Sequence, residues 1–257
     1  MIKILFILWF QGFENAPEVV KMCVRSWKHY NPDWNIICID DANLHEYIVL
    51  ELYDISMQER SNVIRCILLN TYGGVWADAT TFCNRPLDEW LPLFCEKEGF
   101  FAFNKPLNDW LPKYVCLENE VVKDRLLSNW FIYSDPNHYI MRKWLQKTVD
   151  FHNTNMQQPH SYFIHHYLFG ELYESDAAFK EIWDNVPKID ANGMGPHYLD
   201  EKGFFDELTC ATKMDIDCKI TPLYKLSYKP VFPEYDETKH IFYLYSTITT
   251  RIEYTLK

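Results

Sequence analysis

What most restricts the fold of this chain is the order of patterns at its start. Residues 2–9 form a near-continuous apolar run, the mark of a strand buried on both faces. Gln11-Gly12-Phe13-Glu14-Asn15 then reads as a loop, and Pro17 suits the first turn of a helix. Val19, Val20, Cys23, Val24 and Trp27 recur at helical spacing, which predicts a helix over 17–29. Asn31-Pro32-Asp33 ends it, and residues 34–39 form a second buried strand closed by Asp40-Asp41. Strand, helix and strand with short connections make a βαβ unit, and so an α/β fold. Parallel sheets of this kind bind ligands beyond the carboxyl ends of their strands. Here those ends are Trp9-Phe10-Gln11 and Asp40-Asp41.

Further along, a helix over 58–71 rich in Ile, Leu and Val is stopped by Tyr72-Gly73-Gly74. Val75-Trp76-Ala77 is a short strand, with Asp78-Ala79-Thr80-Thr81 at its end. Strands are expected over 100–103, 114–117 and 130–133, and helices over 137–152, 160–173 and 176–184. Strand-like segments near 221–228 and 240–246 close the chain.

With 257 residues, 48% of them hydrophobic, the chain can bury one large core. Glycine and proline are scattered singly and no fixed-period repeat emerges, so one domain over 1–257 is expected. The nine Trp and seventeen Tyr are read as core filling before they are read as sugar-stacking platforms. A net charge of −11 without a Lys/Arg-rich run argues against nucleic acid as a partner. A small phosphate-bearing ligand is still allowed, since a few local donors or a metal ion hold one whatever the global charge. The eight cysteines contain no C-x-x-C pair, which argues against a zinc ribbon, and free thiols fit a reducing compartment. The apolar run from Ile4 to Phe10 is far shorter than the ~18 residues of a spanning helix and lacks a cleavage site. A cytoplasmic protein is the expectation.

Chemistry concentrates in Arg60-Ser61-Asn62-Val63-Ile64-Arg65 and in the run from Asn70 to Thr80. On a helix, positions 62, 65 and 69 share a face, so Asn62 and Arg65 reach a ligand from the same side. The Gly-Gly turn and short strand bring Asp78 to the end of the sheet, where a carboxylate suits a divalent cation and a cation suits a pyrophosphate. The plainer reading has Asp78 capping a turn while Asn62 and Arg65 solvate a helix face. The ordered set of residues makes that reading the weaker one.

The run from Ser61 to Asp78 resembles the polar-helix, Tyr-Gly-Gly, aromatic, Asp-x-Asp signature of the capsular polysaccharide synthesis proteins. These are relatives of glycosyltransferase family 32 and of the sugar-transferring clostridial toxins. Further blocks are similar in the family's order: Ala16-Pro17-Glu18-Val19-Val20, Ser26-Trp27, Asn31-Pro32-Asp33-Trp34 and Ser128-Asn129-Trp130-Phe131-Ile132. Tyr162-Phe163-Ile164-His165-His166-Tyr167-Leu168-Phe169, Gly195-Pro196-His197 and Tyr224-Lys225-Leu226-Ser227-Tyr228-Lys229 continue it.

The resemblance implies a GT-A (Rossmann-like) fold, with a mixed central sheet flanked by helices. It implies a nucleotide-sugar-binding half over 1–103 and an acceptor-side half over 104–257. The implied reaction moves a hexose-type sugar from a nucleotide-diphosphate sugar, UDP-linked, to a saccharide or lipid-linked oligosaccharide acceptor. It would retain the anomeric configuration and use Mn²⁺ or Mg²⁺, with at most peripheral attachment to the inner membrane face. Asp78 matches the first acid of the motif, near metal and donor ribose, while Arg65 matches the arginine that holds donor sugar or phosphate. Asn62 takes the place of an Asp that bonds sugar hydroxyls. Trp9, Gln11 and Gly12 match the nucleotide-base pocket, with Asp40 and Asp41 on the same side, and Ser61 and Trp76 belong to the matching run. Asn129 is placed near the donor or acceptor sugar. His197 and His240 are candidates for a late phosphate or metal contact, and Lys225 and Lys229 for neutralising the leaving diphosphate from one strand face.

Two departures stand out. The second acid is Thr80, a much poorer metal ligand than a carboxylate, so either another group completes the site or metal dependence is weak. Asn62 removes a charge while keeping a hydrogen-bonding side chain. Together they motivate an alternative, a nucleotide-sugar- or saccharide-binding protein without turnover; a nucleotide-sugar hydrolase is a third. Glu118 and Glu120 invite a glycosidase reading that nothing else supports.

Overall fold

The first apolar run becomes strand β1 (Ile4–Leu8), with Leu5, Phe6, Ile7 and Leu8 buried. The computed structural model describes residues 1–49, 55–104, 116–117, 120–121, 126–154, 161–191, 195–230 and 236–249. Tyr114, Val115, Glu118 and His160, which fall in expected elements or sites, lie outside the described residues. Helix α1 (Glu18–Tyr30) turns Val19, Val20, Cys23, Val24 and Trp27 inward. Strand β2 (Asn35–Ile39) then lies parallel to β1, from Ile4 opposite Asn35 to Leu8 opposite Ile39. The expected βαβ unit is present.

Ser56 and Glu59 exchange side-chain hydrogen bonds with each other's backbone and so start helix α2 (Met57–Tyr72). The helix stops at Gly73 and Gly74, both at positive φ (67° and 94°). A Cβ on Gly74 would sit 2.5 Å from the carbonyl oxygen of Ile4. Glycine is therefore required for β3 (Gly74–Ala77) to run beside β1, with Leu5 opposite Val75.

Strand β4 (Thr81–Cys83) follows, then helix α3 (Pro92–Cys95) and β5 (Phe100–Asn104). A two-stranded ribbon, β6 (Cys116–Leu117) and β7 (Glu120–Val121), precedes the long β8 (Leu127–Ser134). The main sheet has the order β2-β1-β3-β8-β5. Its first three strands are parallel, and β8 runs antiparallel to both neighbours. The mixed central sheet expected from the sequence is what forms. Trp90, Phe101, Phe103 and Phe131 fill one side with ring centroids 5.2–6.5 Å apart.

Helices α4 (Tyr139–Thr154), α5 (Ile164–Ser175) and α6 (Ala177–Asn185) pack beside α2 and the sheet, joined by the stacking of Trp144 on His165 at 3.9 Å. Helices α7 (Tyr198–Lys202) and α8 (Cys210–Asp217) lead to β9 (Leu223–Lys225), and α9 (His240–Ser246) follows. Strand β9 pairs antiparallel with β4, with Lys225 opposite Thr81.

Two expectations are corrected. Residues 240–246 form helix α9, because Ile241, Phe242, Leu244 and Tyr245 bury together at the spacing of a helix face and not in strand alternation. The expected strand over 221–228 is confined to Leu223–Lys225, so Lys229 lies exposed beyond its end. Lys225 and Lys229 therefore do not share a strand face. Nothing in the residue pattern announces β4, whose three residues are buried. Among the described residues no helix is long and apolar enough to cross a membrane. Cys23, Cys66, Cys83 and Cys95 are buried free thiols, and burial pushes the Cys66 thiol up to about 12.

Candidate active site

A cleft opens beyond the carboxyl ends of β1 and β3, where an α/β sheet is expected to receive its ligand. Helix α2 supplies Ser61, Asn62 and Arg65, and the segment after β3 supplies Asp78 and Thr80. The backbone fixes that segment: the Asp78 N–H donates to the Trp130 carbonyl at 2.8 Å, and the Thr81 N–H donates to the Asp78 carbonyl at 2.9 Å. Asp78 is held open to the cleft and is the one carboxylate among its described lining residues.

Both carboxylate oxygens of Asp78 are engaged. Oδ1 accepts from Arg65 Nη2 at 3.2 Å and from Trp76 Nε1 at 3.0 Å. Oδ2 lies 3.4 Å from Lys225 Nζ, which donates to Thr80 Oγ1 at 2.6 Å. Arg65 is only 5% exposed; its Nη1 donates to the Asn129 carbonyl at 2.8 Å, and its guanidinium lies 5.0 Å over the Trp76 ring. Burial pulls its pKa down while Asp78 opposes the shift, and the group stays charged. A fixed cation thus stands behind the carboxylate.

A second, uncharged cluster adjoins the first. Asn129 Nδ2 donates to Asn62 Oδ1 at 3.3 Å and to His165 Nδ1 at 3.1 Å. Because the imidazole accepts at Nδ1, its proton sits on Nε2, which faces Cys66 Sγ at 3.4 Å. Burial first, then the charge of Arg65, holds the His165 pKa well below its usual value, so the ring is neutral.

The rest of the lining is aromatic or neutral. Trp9 and Tyr228 meet edge to face at 5.3 Å, and Tyr162 and His166 complete the wall. The Tyr162 carbonyl accepts from Gln58 Nε2 at 2.8 Å, which ties this wall to the start of α2.

Of the candidate residues, Trp9, Ser61, Asn62, Arg65, Trp76, Asp78, Thr80, Asn129 and Lys225 come together in the cleft. Gln11, Gly12 and Asp41 lie at its margin. Gln11 Nε2 contacts Met57 Sδ at 3.5 Å, Gly12 makes the turn after β1 at φ 83°, and Asp41 pairs with Arg60 at 3.3 Å. His197 stands edge-on to Trp130 at 5.8 Å and does not line the cleft. Lys229 does not line it either. His240 is buried elsewhere: Nδ1 donates to the Gly203 carbonyl at 3.0 Å, and Nε2 accepts from the Thr209 N–H at 3.4 Å. With both nitrogens engaged there, it does not join Asp78 and Thr80 at the cleft. Tyr162, His166, Tyr228 and Gln58 were not anticipated as lining residues; the available signal was that Tyr162, His166 and Tyr228 fall in blocks that resemble the family.

The expected metal set of Asp78, Thr80 and His240 is therefore not assembled. Among the described residues, no group of three His, Cys, Asp or Glu side chains is placed to hold a metal ion. The donor set does not fit a divalent cation, which favours several oxygen ligands with carboxylates among them.

The fold is a GT-A arrangement. Among solved structures, the apo glycosyltransferase GlyE of Streptococcus pneumoniae TIGR4 superposes with a TM-score of 0.51 at 8% identity. The match covers 100% of this chain and 61% of that one, so this chain spans under two thirds of that structure's length. The PaToxG glycosyltransferase is similar at a TM-score of 0.41 and 12% identity, over 71% of this chain and 72% of that one, too loosely to carry weight. No curated protein matches the sequence significantly. A family model described as capsular polysaccharide synthesis protein matches residues 1–245, a span that includes every residue lining the cleft, and the chain belongs to that family.

Proposed function

We propose that the cleft is the active site of a glycosyltransferase. It would move a hexose-type sugar from a nucleoside-diphosphate sugar, UDP-linked, to a saccharide or lipid-linked acceptor in capsular or surface polysaccharide synthesis. The observation that carries this reading is one carboxylate, Asp78, bridging two cations at the ends of parallel strands in an aromatic-walled cleft. Trp9 and Tyr228 offer faces for a nucleobase, and Asp78 would accept from ribose hydroxyls. Asn62 and Asn129 offer neutral donors and acceptors for sugar hydroxyls. Arg65 and Lys225 supply more positive charge than Asp78 neutralises, which suits a diphosphate.

In the transfer, the bond from anomeric carbon to diphosphate oxygen breaks and its electron pair leaves with the diphosphate. The acceptor hydroxyl oxygen forms the new bond, and in same-face attack its proton passes to the departing diphosphate. Cations already fixed in the cleft stabilise that charge without reorganising. Family membership and a shared fold support the reading; donor, sugar and retained configuration are its proposed content.

The test is a panel of nucleotide sugars read by released nucleoside diphosphate, with the product anomer assigned by NMR. Turnover of one donor class supports a transferase. Thermal stabilisation by a donor without any release would favour the binding protein, a reading motivated by Asn62 and by the occupied carboxylate of Asp78. Release unaffected by any acceptor would favour a hydrolase.

A further inference from the structure

We propose that Lys225 occupies the place of a divalent cation in this site, so that donor binding is independent of metal. The inference rests on reading the cleft as a nucleoside-diphosphate-sugar site. It starts from the two side chains at the motif positions where a metal was expected. Thr80 Oγ1 is 2.6 Å from Lys225 Nζ, and Asp78 Oδ2 is 3.4 Å from it. The space in front of both is filled by an ammonium group. The other oxygen of Asp78 already serves Arg65 and Trp76.

Charge points the same way. Two cations and one carboxylate face each other in this part of the cleft. Before a diphosphate is bound, a divalent ion added there would stand against an ammonium and a guanidinium with one carboxylate to offset them, and like charges at such range repel strongly.

Lys225 is also held in place. The pairing of β4 with β9 sets it opposite Thr81, its N–H donates to the Pro196 carbonyl at 2.8 Å, and the neighbouring Leu226 N–H donates to the Thr80 carbonyl at 2.8 Å. Its side chain is 20% exposed, toward the cleft. An ammonium has three donors; Thr80 takes one, Asp78 Oδ2 stands beside it as an ion pair at 3.4 Å, and donor capacity is left for a phosphate oxygen. A long surface lysine would lose much side-chain entropy on gripping a ligand, whereas this one is already ordered.

The experiment is calorimetric titration of the full chain with UDP, once in EDTA and once with Mn²⁺. Wild type, Lys225→Arg and Lys225→Met are compared, and melting temperatures check each fold. The expected result is wild-type affinity equal within about threefold in the two buffers, loss of about tenfold or more in Lys225→Met, and retention in Lys225→Arg, as a charge-assisted hydrogen bond to phosphate predicts. Binding that appears only with Mn²⁺ overturns the inference and leaves the donor reading standing. Unchanged binding in a folded Lys225→Met also overturns it. Should Lys225→Met fail to fold, the wild-type comparison and the Arg variant still decide. No binding of UDP or any other nucleoside diphosphate in either buffer overturns the donor reading and the inference together.

Discussion

Helix α2 feeds two polar clusters within a few residues of each other, and they are built on opposite plans. Arg65 belongs to a charged cluster with Asp78 and Lys225, whose members open onto the cleft at 29% and 20% side-chain exposure. Asn62 and Cys66 belong to a neutral one with Asn129 and His165, where His165 is 1% exposed and burial keeps it from taking up a second, charging proton. Burying charge is expensive unless it is paired, and uncharged hydrogen bonds are the cheaper way to hold a buried helix–helix seam. Charge therefore sits where a ligand can meet it, and the neutral network behind it keeps Asn129 in place. Arg65 joins the two: it bonds Asp78 on one side and the Asn129 carbonyl on the other.

The sharpest way to break this contrast is Asp78→Ala. It leaves Arg65 and Lys225 facing each other without a carboxylate, and it should lower transfer by about 100-fold or more, as misplacing groups that orient the donor does. Released nucleoside diphosphate measures it; full activity would remove Asp78 from the mechanism. The fold should survive at a cost of about 3–5 kcal/mol, read by urea unfolding, since the buried Arg65 loses its carboxylate and keeps its bond to the Asn129 carbonyl.

Asn129→Ala strikes the neutral cluster alone. The backbone bond to Arg65 persists, while Asn62 Oδ1 and His165 Nδ1 both lose their donor. Two buried acceptors left unsatisfied should cost about 2–4 kcal/mol, visible as a lower urea midpoint. A loss no larger than for a surface site would mean the network is not cooperative.

A third prediction uses protons. The folded pKa of His165 lies well below the usual 6.5, so the folded state binds fewer protons than the unfolded state once pH drops below that value. Its contribution to stability is complete above pH 6.5 and declines as pH falls toward the folded pKa, by up to about 1.4 kcal/mol per pH unit. His138, also lowered by burial, adds to the same slope, so His165→Gln should reduce the slope and not abolish it. Unfolding midpoints at pH 7.5 and 5.5 for wild type and variant give its share; equal slopes would sink the assignment.

The smallest effect belongs to the margin of the cleft. Asp41→Ala breaks only an exposed pair with Arg60 and should move stability by less than about 0.5 kcal/mol. A large loss of donor affinity in this variant would restore Asp41 to the nucleotide site and blur the line between margin and cleft.

Much of the α2 side of the site is legible in the sequence. The shared face of Asn62 and Arg65 and the Gly73-Gly74 stop that delivers Asp78 both act within a few turns of chain. The misreadings came from segments where short-range signals compete. Aromatic and β-branched residues over 240–246 look strand-like, but burial of Ile241, Phe242, Leu244 and Tyr245 shows a helix face. His240 was a metal candidate by the family resemblance, and neighbouring backbone groups take both of its nitrogens.

Taken by itself, the order of residues determined the βαβ start, the mixed α/β class, the family and the helix–turn–strand unit carrying Asn62, Arg65 and Asp78. Those features follow from steric limits and backbone hydrogen bonds between near neighbours, which a local pattern records. Only the tertiary structure decided that Lys225 meets Thr80, 145 positions away, and that His165 meets Cys66, 99 positions away. The first contact depends on the register of two three-residue strands and the second on helix packing. Neither leaves a periodic mark, because the energy that selects it comes from burying distant surfaces together.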